Sequence, residues 1–148
     1  MMIVLKIFIQ GDHHAVWNAW NNPKDITHWY QGHVDWKTTE ATNLLKVGEI
    51  FSYVMVDKDQ KSTFTLKGTY TTIVKYKKIG YLMEDKRMVE TTFSKVNNRV
   101  LIIQRVEIES GNSAESQATW WRSILINFKK HLLFHKYVCH MSVLAALS

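Results

Sequence analysis

From Gly48 to Glu109 the chain alternates apolar and polar side chains over several short runs. Phe51, Tyr53 and Met55 alternate with Ser52, Val54 and Val56. Phe64, Leu66, Gly68 and Tyr70 share one face, opposite Thr63, Thr65, Lys67 and Thr69. Successive strand side chains point to opposite faces, so this period of two predicts half-buried strands. Asp57 to Lys61 and Lys75 to Gly80 read as turns, and a short strand Tyr81–Met83 leads through Glu84-Asp85-Lys86 into Arg87–Val96. Asn97-Asn98 reads as a tight hairpin turn. The strand after it places Val100, Ile102, Val106 and Ile108 inward, with Gln104 on that same inner face, and Arg99, Arg105, Glu107 and Glu109 outward. The opening run Ile3–Ile9 is apolar and β-branched and predicts a further strand.

The remaining pattern is helical. After Gly11, the Asp12 carboxylate can cap a helix by accepting from the free N–H groups of its first turn. Val16, Trp17 and Trp20 then form an apolar face. Asn22 can cap a second short helix with Pro23 at its first position, where the missing N–H costs nothing. Ile26, Trp29 and Tyr30 lie on one side of that helix. Gln31–Val47 is irregular, with a strand or two predicted around His33–Trp36. From about Ala114 to Lys136, Trp121, Ile124, Leu125, Phe128 and Leu132 make one stripe. More than twenty helical residues reach roughly 30 Å or more.

The order is strand, two short helices, an antiparallel meander of five or six strands, then a long helix. Segregated helices and strands make this α+β. The meander must bury one face, and the long helix is the only element large enough to cover it.

Composition adds limits. The 148 residues fit one domain, here 1–136, with 137–148 a tail that either extends the helix or is disordered. Such a length buries roughly 68–70% of its unfolded surface and needs no staples. Hydrophobic residues make up 46% and charged residues 22%, which fits neither a disordered nor a membrane class. No run approaches ~18 apolar residues, so no membrane span is expected. The first ten residues carry Lys6 and lack a basic n-region and cleavage site, so no signal peptide is expected. A single cysteine, Cys139, excludes an intrachain disulfide and fits a reducing, cytoplasmic setting.

The net charge of +6 falls entirely in the second half: residues 75–148 hold twelve Lys and Arg against six acids, while residues 1–74 balance at seven and seven. Lys75, Lys77 and Lys78 form a short basic run. That run is too narrow for an electrostatic footprint and reads as a solvated strand end, so no nucleic-acid partner is expected.

Four stretches, in order, resemble the START-like, helix-grip (birch-pollen-allergen-like) superfamily, and within it the homologues of the activator of the heat-shock-protein-ninety ATPase. They are VWNAWNNPKDITHWY, KGTYTTIVKYKKIGY, MEDKRMVETTFSKVNN and SQATWWRSILINFKKHL. The resemblance spans roughly Val4 to Leu133. Two positions depart from it: Trp120 and Lys86 stand where the family usually has glycine. The resemblance implies a helix-grip fold, a curved antiparallel sheet of six to seven strands around a long C-terminal helix. It also implies a cavity between sheet and helix for a small apolar ligand, lipid-like or aromatic. A co-chaperone role on a heat-shock ATPase and a cyclase or hydrolase activity are the alternatives it leaves open.

The aromatic residues carry the ligand reading, because each buried ring supplies on the order of 150–250 Å² of contact. The wall candidates are Trp29, Tyr30, Phe51, Tyr53, Phe64, Leu66, Tyr70, Met83, Phe93, Gln104, Trp121, Leu125 and Phe128. Gly68 on the inner face is expected to leave volume, and Trp120 beside Trp121 to remove it. Plain core filling is the competing account of each residue. Catalysis would need an acid or base inside: His33, Asp35 and Glu90 are the conceivable ones, and Gln104 could polarise a carbonyl. With Val89, Thr91 and Phe93 inward, Glu90 points out. No catalytic set, cofactor or metal site is expected. His131 and His135 share a helix face but lack a third ligand, while His13-His14, His28 and Cys139-His140 have no metal spacing. The sequence does not set an oligomeric state.

Overall fold

The computed structural model describes the backbone of residues 1–147 and the side chains of residues 1–134. Seven strands form one antiparallel sheet: β1 (Met2–Gln10), β2 (Trp36–Thr42), β3 (Ile50–Asp57), β4 (Thr63–Val74), β5 (Lys78–Met83), β6 (Met88–Val96) and β7 (Arg99–Glu107). Their spatial order is β1-β7-β6-β5-β4-β3-β2, so β2 to β7 is a meander and β1 closes on its last strand. Between β1 and β2 lie α1 (His13–Asn21) and α2 (Pro23–Trp29). The long α3 (Ala114–Leu147) follows β7 and takes the backbone of the tail into the helix. Its 34 residues span about 51 Å at 1.5 Å per residue. The fold is α+β, with the curled sheet gripping the helix.

The local signals act where the sequence places them. The Asp12 carboxylate accepts from the Ala15 amide at 3.0 Å, and the Asn22 side chain accepts from the Lys24 amide at 3.0 Å, with Pro23 opening α2. Asn97 turns the β6–β7 hairpin with φ +57°. Two boundaries differ from the sequence reading. The stretch His33–Asp35 is a turn, with Trp36 N–H donating to the His33 carbonyl at 3.0 Å, and the strand begins at Trp36. Only Thr38 is buried in β2, so no alternation marks it. The turn after β4 is confined to residues 75–77, where Tyr76 takes φ +66°; β5 already starts at Lys78.

The concave face of the sheet and one stripe of α3 make the core. Ile3, Leu5, Ile9, Phe51, Tyr53, Met55, Val89, Phe93, Val100, Ile102 and Val106 meet Trp121, Ile124, Leu125 and Phe128 there. Among the described residues the backbone of α3 comes nearest the sheet at β1; elsewhere large side chains span the interval. Trp20 and Trp29 do much of this. Their ring centroids lie 4.8 Å apart, and Phe128 lies 4.9 and 4.7 Å from them. Such ring pairs are worth about 0.5–1.5 kcal/mol each beyond their area.

Candidate functional site

The middle of the grip is filled by rings. Phe51 lies 4.8, 5.2 and 4.7 Å from Tyr53, Tyr70 and Tyr81, and Tyr53 lies 4.9 Å from Tyr30. Gly68 sits beneath Phe51. A Cβ at that position would fall far inside contact distance of the Phe51 and Tyr81 rings. The volume that Gly68 leaves is therefore taken by Phe51, contrary to the expectation that it opens a cavity. Only about 20 Å³ stays free among Trp20, Trp29, Tyr30, Tyr70, Thr91 and Gln104.

Four phenols face this centre. Burial alone raises the Tyr30 hydroxyl far above the ordinary phenol range. Burial raises Tyr53 and Tyr81 as well, with the neighbouring phenols adding to it. Tyr70 is raised by burial, against hydrogen bonds to Tyr53 and Asn43 that pull the other way. The Tyr70 hydroxyl donates to Asn43 Oδ1, and Asn43 Nδ2 donates to the Asn21 carbonyl at 2.8 Å, which ties the β2–β3 connection to the end of α1. Gln104 Nε2 donates to Thr91 Oγ1 at 3.1 Å. The Gln104 carbonyl oxygen and the Tyr30 hydroxyl, both buried, have no partner within the protein. An unpaired buried polar group of this kind costs roughly 1–3 kcal/mol.

A space larger than this void lies between the sheet and the N-terminal end of α3. It is a cleft of about 270 Å³. Met55, Phe64, Leu66 and Met83 floor it from the sheet, and Trp120 and Trp121 wall it from the helix. Phe64 is half exposed, with its ring at the open side. Polar groups form the rim, and they are occupied. Arg87 Nε donates to Asp85 Oδ2 at 2.7 Å, and its Nη2 lies 3.9 Å from Glu109 Oε2. Burial alone would raise Asp85 a little, but the hydrogen bonds and charge of Arg87 outweigh it and hold the carboxyl below its usual range. Gln117 Oε1 accepts from the Glu109 amide at 2.8 Å, while its Nε2 donates to the carbonyls of Glu109 and Asn112. Recesses of about 630 Å³ beside β2 and about 660 Å³ along the β1–α3 seam are larger, and charged side chains line both, Asp35, Lys37 and Lys58 the first and Lys6 and Arg122 the second.

The thirteen wall residues named from sequence thus separate into three groups. Phe64, Leu66, Met83 and Trp121 line the cleft. Trp29, Tyr30, Phe51, Tyr53, Tyr70 and Gln104 line the small central void. Phe93, Leu125 and Phe128 line neither. Trp20 packs on Phe93 and Phe128, at 5.6 and 4.9 Å, and Leu125 faces the β1 seam. Among the lining residues outside those thirteen are Met55, Tyr81, Thr91 and Gln117. The first two were findable: Met55 continues the face of Phe51 and Tyr53, and Tyr81 lies two residues before Met83.

The Trp120 indole lies against Gly32, where a Cβ would collide with the ring, and Trp120 also lines the cleft. The conceivable acids and bases lie outside the cleft and the void. Asp35 is paired with Lys58 at 3.3 Å on the surface beside His33. Glu90 points out, between Lys78 at 3.3 Å and Arg105 at 3.7 Å. His131 Nε2 contacts Asp25 Oδ1 at 2.8 Å, joining α3 to α2, and its ring stacks on His28. His14 stacks on Tyr76 at 3.8 Å. Among the described residues no three metal-ligating side chains converge. The side chains of His135, Cys139 and His140 lie outside the described residues. No helix among the described residues is long and apolar enough to cross a membrane.

A curved seven-stranded sheet closed over a long helix, with an aromatic interior and a cleft at one end, defines a helix-grip, START-like protein. More narrowly, the chain belongs to the family described as Activator of Hsp90 ATPase homolog 1-like protein, whose model matches residues 12–132. Among solved structures it is similar to the AHSA1-like protein from Aeromonas hydrophila, at 29% identity over 92% of this chain and 94% of that one, TM-score 0.87. A protein from Cytophaga hutchinsonii is 28% identical over 91% and 94% of the two chains, TM-score 0.78. The Aha1 dimer from Colwellia psychrerythraea, at 12% identity over 87% and 93% and TM-score 0.70, shares the fold. No curated protein matches the chain.

Proposed function

We propose that the protein binds one small, apolar, uncharged ligand, lipid-like or aromatic, in the cleft between the sheet and the start of α3. The observation that carries this reading is an aromatic and thioether wall left open between the two layers, with half of Phe64 exposed on it. Burying that ring and the surrounding apolar surface favours association by roughly 25 cal/mol per Å² before ordering costs. The rim explains the preference for an uncharged ligand. Arg87 is already paired with Asp85 and Glu109, and Gln117 is occupied by backbone groups, so no unpaired cation waits at the rim for an acidic headgroup. At about 270 Å³ the cleft lies just below the ~300–1,000 Å³ of drug-sized sites, which suits a compact molecule.

A thermal-shift and tryptophan-fluorescence panel of small neutral apolar compounds tests this, with Ser116→Trp as the blocked control. Ser116 is exposed on the rim, so the added indole fills the cleft without disturbing the core. A binder present at a hundred times its Kd adds about 2.7 kcal/mol to the wild type and nothing to the variant. A panel without any shift, or a shift that survives Ser116→Trp, removes the proposal. The family description names an ATPase activator. Hydrolysis rates of a heat-shock ATPase with and without this chain, in wild-type and Ser116→Trp forms, decide between that role and ligand binding alone.

A further inference from the structure

The central void is separate from the cleft and has a polarity of its own. It is walled by aromatic rings, yet two of its lining residues carry polar atoms with nothing to bond: the Tyr30 hydroxyl, from the end of α2, and the Gln104 carbonyl, from β7. Both residues are at least nine-tenths buried. Gln104 Nε2 donates to Thr91 Oγ1 at 3.1 Å, which leaves the carbonyl oxygen facing the void. Of the neighbouring hydroxyls, those of Tyr53 and Tyr70 are hydrogen-bonded to each other, and Tyr70 goes on to Asn43.

The Gln104 carbonyl can only accept, while the phenol can donate or accept. A group that serves both must donate to the carbonyl, which a second carbonyl oxygen cannot do. An ion would be stranded among rings that offer no counter-charge. Size narrows the choice further. About 20 Å³ exceeds the ~10–15 Å³ needed for one water and leaves no room for a second.

We infer that the void is a binding site for one hydroxyl-type oxygen, held between the Tyr30 hydroxyl and the Gln104 carbonyl so that it links α2 to β7 across the core. The occupant that fits is a water molecule: the void shares no lining residue with the cleft, so a ligand bound there does not reach it.

The test begins with ligand-free, delipidated protein, where the cleft reading plays no part. Water-to-protein NOE and ROE spectra of the wild type are expected to show a long-lived water at the Gln104 side-chain amide and the Tyr30 ring. Tyr30→Phe and Gln104→Met each remove one arm and are expected to abolish the signal and lower Tm by a few degrees. Their double variant should lose less than the sum, because each single variant already unseats the shared oxygen. The absence of a water signal overturns the inference. Strict additivity of the two variants overturns it equally. Loss of all ligand binding with the water signal intact would remove the cleft reading and leave this one standing.

Discussion

Replacing Gly68 by alanine asks whether the centre of the grip is solid. The new Cβ would sit under the Phe51 ring, well inside contact distance of it and of Tyr81. A ring tip can often swing away at little cost. Here it cannot, because Phe51 is 2% exposed and packed against Tyr53, Tyr70 and Tyr81 on its other sides. Overpacking of this kind costs about 1–3 kcal/mol. In a domain of this size each kcal/mol moves Tm by roughly 2–4 °C, so a drop of about 2–12 °C is expected. Phe51→Leu should relieve the collision. Alone it leaves a small cavity and costs about 1–3 kcal/mol. In the double variant the shortened side chain and the added methyl share the space, so the loss falls short of the sum by about 0.5–3 kcal/mol. Urea denaturation followed by circular dichroism measures all four corners of the cycle. A neutral Gly68→Ala, or strict additivity with Phe51→Leu, would show that free volume lies under Phe51 and would return the cavity to the middle of the fold.

Two further outcomes follow from the geometry. Tyr30, Tyr53, Tyr70 and Tyr81 are held protonated in the fold, while unfolded phenols ionise near 10. The unfolded state thus binds fewer protons above that pH, and stability falls as pH rises. With four groups the slope is about 5 kcal/mol per pH unit, enough to remove a typical native margin of about 5–15 kcal/mol within a few units. Absorbance at 295 nm and circular dichroism should then change together above pH 10; four phenols ionising near 10 with the fold intact would contradict this. Lys86→Gly should add about 0.5–1 kcal/mol of stability and so raise the urea midpoint, because Lys86 holds φ +70° where an L side chain is disfavoured. A lower midpoint would mean that the strain is compensated elsewhere.

Much of this fold was legible because its strands face a core on one side. Alternation placed Phe51, Tyr53, Leu66, Tyr70, Ile102 and Gln104 inward, and the stripe Trp121, Ile124, Leu125, Phe128 identified the helix that covers them. β2 escaped because only Thr38 is buried along it, so there was no alternation to read. The candidate site was less legible. Period two tells which face a residue takes, not how far along the strand it lies. Phe64 and Tyr70 share a face, yet one is half exposed at the cleft and the other is sealed in the centre. Whether large rings enclose space or fill it depends on how they interdigitate across β3, β4 and β5. Composition carries no record of that, which is why Gly68 was read as a gap when it is the seat of Phe51.

The same interlocking joins two distant points of the chain at Gly32 and Trp120. The bare backbone of one receives the indole of the other, and Asn127 Nδ2 fastens the neighbouring Gln31 carbonyl at 2.7 Å. Because the bulk sits on the helix and the vacated side chain on the loop, the two positions form one steric unit that tolerates change only in step. A homologue with glycine on its helix is free to carry a larger residue on that loop. Grafting either position alone from such a homologue would jam the joint or leave it empty.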